Sequence, residues 1–198
     1  MQNILLIFIK NPRPGHVKTR LARTMGDAAA LRIYRLLLEK TRSAALRCGA
    51  EKWLWYSEHI EDGDEWPAGE FLKKVQTGRD LGERMEAAFS EAFAAGASKV
   101  VIIGSDCPEL DAEMLEAAFD ALDRNDFVLG PTPDGGYYLL GMKHTDDSVF
   151  RGIAWSTDAV RNASLQKIAA AGKTCALLPD LPDIDTEEDW RAYEQRRK

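Results

Sequence analysis

The chain has 198 residues, of which 45% are hydrophobic and 29% are charged, and a formal net charge of −6. This length suits one domain with a real hydrophobic core. The acidic balance argues against a general nucleic-acid binder, because such proteins carry a basic face. We therefore expect residues 1–198 to form a single domain with no nucleic-acid partner.

The charge is unevenly distributed along the chain. Residues 1–48 carry ten Lys and Arg side chains against two acidic ones, a net charge of +8, so the other 150 residues carry −14. A basic segment inside an acidic protein fits a local anionic ligand better than a polymer.

The cysteines and histidines exclude several kinds of site. Cys48, Cys107 and Cys175 are odd in number, widely spaced and free of any C-x-x-C pair, so we expect reduced thiols in a cytoplasmic protein. The three histidines are equally scattered, which argues against a histidine metal site. The N-terminal apolar run is six residues long, with cations after it, so we expect neither a signal peptide nor a membrane span.

The first predicted element is a strand buried on both faces, the apolar run at residues 4–9. The loop that follows, KNPRPGHVKTRL at residues 10–21, contains two prolines and four cations but no acid. It leads toward a helix, and a helix N-terminus with flanking cations holds phosphate well. From the loop alone, a phosphate-binding loop and a solvated surface turn are both open interpretations.

Further strands and helices alternate along the chain. Helical spacing predicts helices at residues 27–47, 82–95, after Asp111, at 158–171 and at 186–195, and short apolar runs predict strands at 53–57, 71–76, 99–104, 127–130, 137–141 and 175–179. This order predicts an α/β fold with a mainly parallel sheet covered on both faces. Ligands of such sheets bind beyond the carboxyl ends of the strands.

Acidic residues follow two of the predicted strands. Asp106 comes directly after the apolar run at 99–104, where it either binds a metal or braces a turn. Asp183 and Asp185 precede the last helix, where a carboxylate also serves as a helix cap. Two strand-end acids together with one cationic loop are what a metal–polyphosphate site requires.

Three other segments are candidates for ligand contact, each with a structural alternative. The turn Asp134-Gly135-Gly136 lets backbone approach a ligand, but Asp-Gly is also a strong hairpin signal. Trp155 is a candidate ligand wall at a helix entrance. The segment QTGRDLGERM, residues 76–85, could approach a nucleobase or simply cap the next helix. Cys107 is interpreted as a packing residue, since no histidine is placed to activate it.

The chain resembles a bacterial family of GT-A-fold proteins labelled selenodomain-associated transferase or glycosyltransferase. The resemblance rests on six motifs that run in one order along nearly the whole chain: K-x-P-x-P-G-x-V-K-T-R-L, Q-x-G-x-D-L-G-x-R-M, G-S-D-C-P, D-G-G-Y-Y-L-L-G, W-S-T and D-I-D-T-x-x-D-W. More distantly, the chain is similar to phospholactate guanylyltransferase and the molybdenum-cofactor nucleotidyltransferases. The resemblance implies a three-layer α/β/α fold of the nucleotide-diphospho-sugar transferase type, with the nucleotide over the first loop.

Joined to the residue-level interpretation, this resemblance defines a candidate site. The predicted nucleotide-binding residues are Lys10, Arg13, Gly15, Lys18, Thr19, Arg20, Gln76, Gly78, Leu81 and Gly82, and the predicted acceptor-binding residues are Asp134, Gly135, Gly136 and Trp155. Mg²⁺ or Mn²⁺ would be held by Asp106 and Asp185, with Asp183 as an alternative to Asp185. Lys18, Arg20 and Asp106 are the predicted catalytic residues.

Three functions follow as hypotheses. The first is metal-dependent transfer of a nucleoside monophosphate from a triphosphate to a small anionic acceptor, with release of pyrophosphate. The second is glycosyl transfer from a nucleotide sugar, which is disfavoured because Asp106-Cys107-Pro108 lacks the second acid of a D-x-D motif. The third is a non-catalytic nucleotide-binding protein. None of the three requires a membrane.

Overall fold

The structure is a computed structural model that describes residues 2–196, and within this range seven strands form one sheet. The strands are β1 (Gln2–Ile9), β2 (Glu51–Tyr56), β3 (Phe71–Val75), β4 (Ala97–Ile103), β5 (Phe127–Pro131), β6 (Tyr137–Met142) and β7 (Cys175–Leu177). Their order across the sheet is β3-β2-β1-β4-β6-β5-β7. Of these seven, β6 runs antiparallel to its neighbours, β4 and β5, and the other pairs are parallel. The predicted mainly parallel sheet is therefore confirmed.

Helices connect most of these strands. They are α1 (Thr19–Met25), α2 (Asp27–Arg47), α3 (Leu81–Ala94), α4 (Ala112–Ala121), α5 (Val160–Ala170) and α6 (Glu187–Arg196), with one 3-10 turn at Asp147–Val149. The predicted cap of α4 is confirmed, because the Asp111 carboxylate accepts a hydrogen bond from the Met114 backbone N–H at 2.9 Å. Among the described residues, no helix is long and apolar enough to cross a membrane.

The sheet is buried on both faces, which explains the unbroken apolar runs of its central strands. Leu5 and Ile7 of β1 pack with residues of α2 and α4, while Ile4 and Leu6 of the same strand pack with residues of α3 on the opposite face. This alternation is what a period of two residues requires. The three-layer α/β/α architecture is therefore confirmed, and it brings the loops after β1 and β4 to one edge of the sheet.

Candidate functional site

A cavity of about 680 Å³ lies at the carboxyl ends of β1 and β4. The positively and negatively charged residues that line it come from different segments of the chain. The cations come from the end of β1 and the start of α1, and the acids come from four other segments; the lining charges are Lys10, Lys18, Arg20, Asp106, Asp134, Asp158 and Asp185. The cavity therefore joins the cationic loop and both strand-end acids that the sequence singles out.

The loop after β1 is fixed by two buried side chains. Asn11 is 1% exposed, and its amide donates to the carbonyl of His59 at 2.9 Å and accepts from the backbone N–H of Glu58 at 3.1 Å. The Tyr34 hydroxyl accepts from the Lys10 N–H at 2.8 Å and donates to the Lys10 carbonyl at 3.0 Å. Ser105 donates to the same hydroxyl at 3.4 Å, so Tyr34 links the loops after β1 and β4.

Lys18 stands at the centre of the site. Its side chain is only 4% exposed, and its ammonium lies 2.6 Å from Asp106 Oδ1 and 3.3 Å from Asp185 Oδ1. Burial opposes the charged form of this amine. The two carboxylates outweigh that effect and raise the pKa of Lys18 above its ordinary value, so the amine is charged at neutral pH.

Asp185 is available to Lys18 because other residues cap the last helix. Thr186 and Asp189 form a reciprocal capping pair: the Asp189 carboxylate accepts from the Thr186 N–H at 2.7 Å, and the Thr186 hydroxyl accepts from the Asp189 N–H at 3.3 Å. The Asp185 carboxylate instead contacts Lys18 and also Arg20, whose Nη1 lies 3.3 Å from Oδ2. The capping alternative for Asp185 is therefore wrong.

Asp183 and Cys107 lie beneath these acids. Burial raises the pKa of Asp183 to about 6, and the carboxylates of Asp134 and Asp185 contribute in the same direction. Burial likewise raises the pKa of the Cys107 thiol well above its ordinary value, with Asp183 and Asp106 contributing. A thiol that is 6% exposed and resists ionisation is a packing residue, in line with the sequence interpretation.

The segment at residues 76–85 closes one side of the cavity. Gln76 and Leu81 line it. The Gln76 amide group donates to the carbonyl of Ile9 at 3.2 Å and to that of Trp55 at 3.0 Å, so both amide hydrogens are already bonded to the ends of β1 and β2. Gly78 has φ +139°, and a Cβ there would lie 2.7 Å from the Arg84 backbone nitrogen. Gln76 therefore forms part of the cavity wall, whereas Gly78 packs against the start of α3 and is not a lining residue.

Further lining residues of the cavity come from the turn between β5 and β6 and from the segment before α5. Asp134 and Gly136 line the cavity, and so does Trp155. A Cβ on Gly82 would lie 2.2 Å from the Trp155 indole nitrogen, and one on Gly135 would lie 2.1 Å from the Asp158 carbonyl. Gly82 and Gly135 therefore leave the space that the lining residues Trp155 and Asp158 occupy, although neither glycine lines the cavity itself.

Four residues predicted to bind nucleotide are not among the cavity-lining residues: Arg13, Gly15, Gly78 and Gly82. Arg13 pairs with Glu58, with both side chains nearly half exposed, and Gly15 has φ +74° and faces Asp27. Thr19 does line the cavity. Sequence inspection missed Tyr34 and Asp158, because one lies on a helix stripe typical of core and the other beyond the recognised W-S-T motif.

The carboxylates of Asp106 and Asp185 fit a divalent cation that also binds phosphate. Their side chains are 48% and 37% exposed, and Mg²⁺ commonly takes one or two carboxylates and completes its shell with water and substrate phosphates. Among residues 2–196, no cluster of three or more His, Cys, Asp or Glu side chains could hold a metal by itself. A metal held here would therefore complete its shell with water or with substrate oxygens.

Comparison with known proteins identifies the family. Residues 40–157 match the family described as "Uncharacterized protein conserved in bacteria (DUF2064)". The chain belongs to this family. A solved structure from Desulfovibrio desulfuricans G20, described as a candidate nucleotide-diphospho-sugar transferase, is 33% identical with a TM-score of 0.92, over 100% of this chain and 89% of that one. No curated protein matches the sequence.

More distant structures share the fold. The inositol-1-phosphate CTP transferase from T. maritima is 17% identical with a TM-score of 0.63, covering 100% of this chain and 96% of that chain. A manganese complex of Rv0371C from Mycobacterium tuberculosis H37Rv is 14% identical with a TM-score of 0.57, covering 97% of each chain. The resemblance to nucleotide-diphospho-sugar transferases and nucleotidyltransferases is thus confirmed at the level of fold, and the neighbours bear the names of transferases.

Proposed function

We propose that this DUF2064 protein is a metal-dependent nucleotidyltransferase that moves a nucleoside monophosphate from a triphosphate to a small anionic acceptor. One observation carries the proposal: Lys18 links the cationic loop to Asp106 at 2.6 Å and to Asp185 at 3.3 Å inside one cavity. Phosphoryl-type transfer needs positioned cations and metal-binding carboxylates more than a covalent nucleophile. We also propose that residues 1–198 form one domain that works in the cytoplasm, where triphosphates are found.

The chemistry is an in-line substitution at phosphorus. An oxygen of the acceptor forms a bond to the α-phosphorus of the triphosphate, the bond to the bridging oxygen breaks, and pyrophosphate leaves with the electron pair. Lys18 and Arg20 stabilise the charge that develops on the leaving pyrophosphate. Lys10, which is exposed at the cavity mouth on a loop held by Tyr34, binds the outer phosphates.

Asp106 and Asp185 hold Mg²⁺ or Mn²⁺ in this proposal. When bound, the ion supplies Lewis-acid charge neutralisation on the phosphate oxygens. Before ligand binds, the carboxylates hold the Lys18 ammonium through their ion pairs, so that the ammonium and the metal ligands lie together in one cavity. Preorganised donors of this kind each contribute a few kcal/mol, roughly 3, to lowering a barrier.

The acceptor lies against the wall formed by Asp134, Gly136 and Trp155. The Asp134 carboxylate is held by the Thr132 hydroxyl at 2.5 Å and the Gly136 N–H at 3.0 Å, which fixes its orientation. Its free acceptor capacity suits hydroxyl groups of a small molecule. An anionic group of the acceptor would reach across to Arg20, whose side chain is 66% exposed.

Glycosyl transfer from a nucleotide sugar is the second candidate, and the name of the D. desulfuricans relative favours it. In that reaction the same cations would neutralise a leaving nucleoside diphosphate. The product separates the two reactions, because nucleotidyl transfer releases pyrophosphate and glycosyl transfer releases a nucleoside diphosphate.

The test is ³¹P NMR of reactions that contain each triphosphate or nucleotide sugar with Mg²⁺ and a mixture of sugar phosphates. We expect pyrophosphate from one triphosphate and none from Asp106→Asn. Asp123→Asn is the matched control, because Asp123 forms an ion pair with Lys99 and is not among the cavity residues. Release of nucleoside diphosphate from a nucleotide sugar would replace the proposal with the second candidate. Binding without any product would support a nucleotide-binding protein without catalysis.

A further inference from the structure

Lys18 holds the position that a divalent cation needs. Its ammonium contacts one oxygen of each carboxylate assigned to the metal, Asp106 Oδ1 and Asp185 Oδ1. Mg²⁺ binds carboxylate oxygens at roughly 2.0 to 2.1 Å, closer than these ammonium contacts. The ammonium and the metal therefore compete for the same oxygens.

The positive charges around the carboxylate pair also disfavour the binding of a divalent ion in the free protein. Asp106 and Asp185 together carry two negative charges, while Lys18 and Arg20 bring two positive charges within 3.3 Å of them. The charges of these four side chains therefore sum to zero in the free protein. A divalent ion approaching the carboxylate pair meets direct repulsion from a buried ammonium that water screens poorly.

The two carboxylates are also much more exposed to solvent than the ammonium that they contact. The Asp106 and Asp185 side chains are 48% and 37% exposed to the cavity, whereas Lys18 is 4% exposed. Solvent and ligands reach the carboxylates from the cavity side, so an anion bound there would lie next to the ammonium. Lys18 itself lines the cavity, so its ammonium and such an anion share one space.

We propose that Lys18 is a resident cation that keeps the Asp106–Asp185 pair closed to divalent metal until a polyphosphate binds. The polyphosphate draws the ammonium to its own oxygens, frees the carboxylate oxygens and adds the negative charge that the metal requires. Metal and polyphosphate then raise each other's affinity by the same factor. This inference rests on the proposed function for the place of the polyphosphate.

The test measures Mn²⁺ binding to the nucleotide-free protein, using the electron paramagnetic resonance signal of unbound Mn²⁺. We expect weak binding by the wild type and roughly tenfold tighter binding by Lys18→Met, because removing the ammonium leaves the carboxylate pair with a net negative charge. Lys18→Arg restores the charge and should restore weak binding. The double variant Lys18→Met/Asp106→Asn should lose the gain.

Arg20→Met is the matched control. Arg20 also contacts Asp185, but its side chain is 66% exposed and well screened, so we expect a smaller gain in Mn²⁺ affinity than for Lys18→Met. Mn²⁺ binding by Lys18→Met that is equal to or weaker than that of the wild type would overturn the proposal. It would show that the lysine only organises the carboxylates.

The wild type gives a second, independent measurement if Lys18→Met does not fold. Tight Mn²⁺ binding by the nucleotide-free wild type that is lost in Asp106→Asn would also overturn the proposal. A gain in Mn²⁺ affinity in Lys18→Met, found together with no pyrophosphate release by the wild type from any triphosphate, would support the resident cation and contradict nucleotidyl transfer. The results that would overturn the resident-cation role of Lys18 are therefore different from those that would overturn nucleotidyl transfer.

Discussion

The hydroxyl of Tyr34 makes two hydrogen bonds with the backbone of Lys10: it accepts from the N–H at 2.8 Å and donates to the carbonyl at 3.0 Å. Tyr34 is 2% exposed and comes from α2, so a helix in one layer fixes the first loop of the site. The loop is thus held in shape before any ligand binds, which lowers the entropy cost of binding.

Tyr34→Phe should weaken both stability and ligand binding. The ring stays in place, but the part-buried Lys10 backbone groups lose their partner, which costs about 1 kcal/mol. Chemical denaturation measures the loss. Tyr56→Phe is the control, because the buried Tyr56 donates its hydroxyl hydrogen to the Asp64 carboxylate and is not among the cavity-lining residues. Equal losses of triphosphate affinity in both variants would contradict a specific role for Tyr34.

Lys10 and Arg13 should differ although both belong to the same cationic loop. Lys10 lines the cavity, whereas Arg13 pairs with Glu58 away from the lining residues. We expect Lys10→Ala to weaken triphosphate binding about tenfold and Arg13→Ala to change it little, since an exposed ion pair contributes only about 0.2 to 1 kcal/mol. Isothermal titration calorimetry compares the two. A larger effect at Arg13 would mean that the loop rearranges when ligand binds.

Gly82→Ala should displace Trp155 from the cavity wall. The new Cβ would lie 2.2 Å from the indole nitrogen and 2.8 Å from the Phe150 carbonyl, so the helix preference of alanine cannot offset the clash. We expect a loss of about 1 to 3 kcal/mol in the free energy of unfolding. Gly69→Ala is the control, because a Cβ on Gly69 would meet nothing within 4 Å. Unchanged stability at both positions would contradict this packing.

Asp183 gives the site a pH dependence. Its pKa of about 6 lies above the ordinary value near 4, so the folded protein binds a proton that the unfolded chain releases between these pH values. Stability from this group is therefore present at low pH and is lost as pH rises toward 6. Asp183→Asn should raise stability at pH 7.5 by about 1 kcal/mol, after allowance for solvent screening of a half-buried group, with no gain at pH 4.

Denaturation in chelator at both pH values measures this effect without any contribution from metal. Asp126→Asn is a useful contrast. Hydrogen bonds from Thr174 lower the pKa of Asp126, so its contribution is present above the unfolded pKa and is lost as pH falls. A gain from Asp183→Asn that is equal at pH 4 and pH 7.5 would contradict the raised pKa.

Local patterns in the sequence were enough to predict the seven strands and five of the six helices of the described residues, but not α1 as a helix of its own. The continuous apolar runs of β1 and β4 are typical of buried strands, and Asp111 caps α4 as its position before the apolar stripe indicates. The hairpin alternative for the turn at Asp134 implies antiparallel pairing of β5 and β6, and the structure shows this pairing. The pairing of β6 with β4 was not predicted, because it depends on which strands become neighbours.

The site was predictable in composition but not in its contacts. Lys18 and Asp185 are 167 positions apart in the chain, so no spacing rule could join them, and the fold alone does so. Glu58, which pairs with Arg13, lies in the acidic loop between β2 and β3, and no pattern in that loop predicted its position. The shared role of Thr186 and Asp189 as a cap also depends on geometry, and it is what leaves Asp185 for the site.

The measurement that tests the central claim most directly is a thermal-shift panel of triphosphates and nucleotide sugars, with Mn²⁺ and with chelator. The account predicts a metal-dependent rise in melting temperature with one triphosphate that disappears in Asp106→Asn; a ligand at about 100 times its Kd adds roughly 2.7 kcal/mol. No shift with any nucleotide, or an equal shift in Asp106→Asn, would contradict a nucleotide–metal site in this cavity.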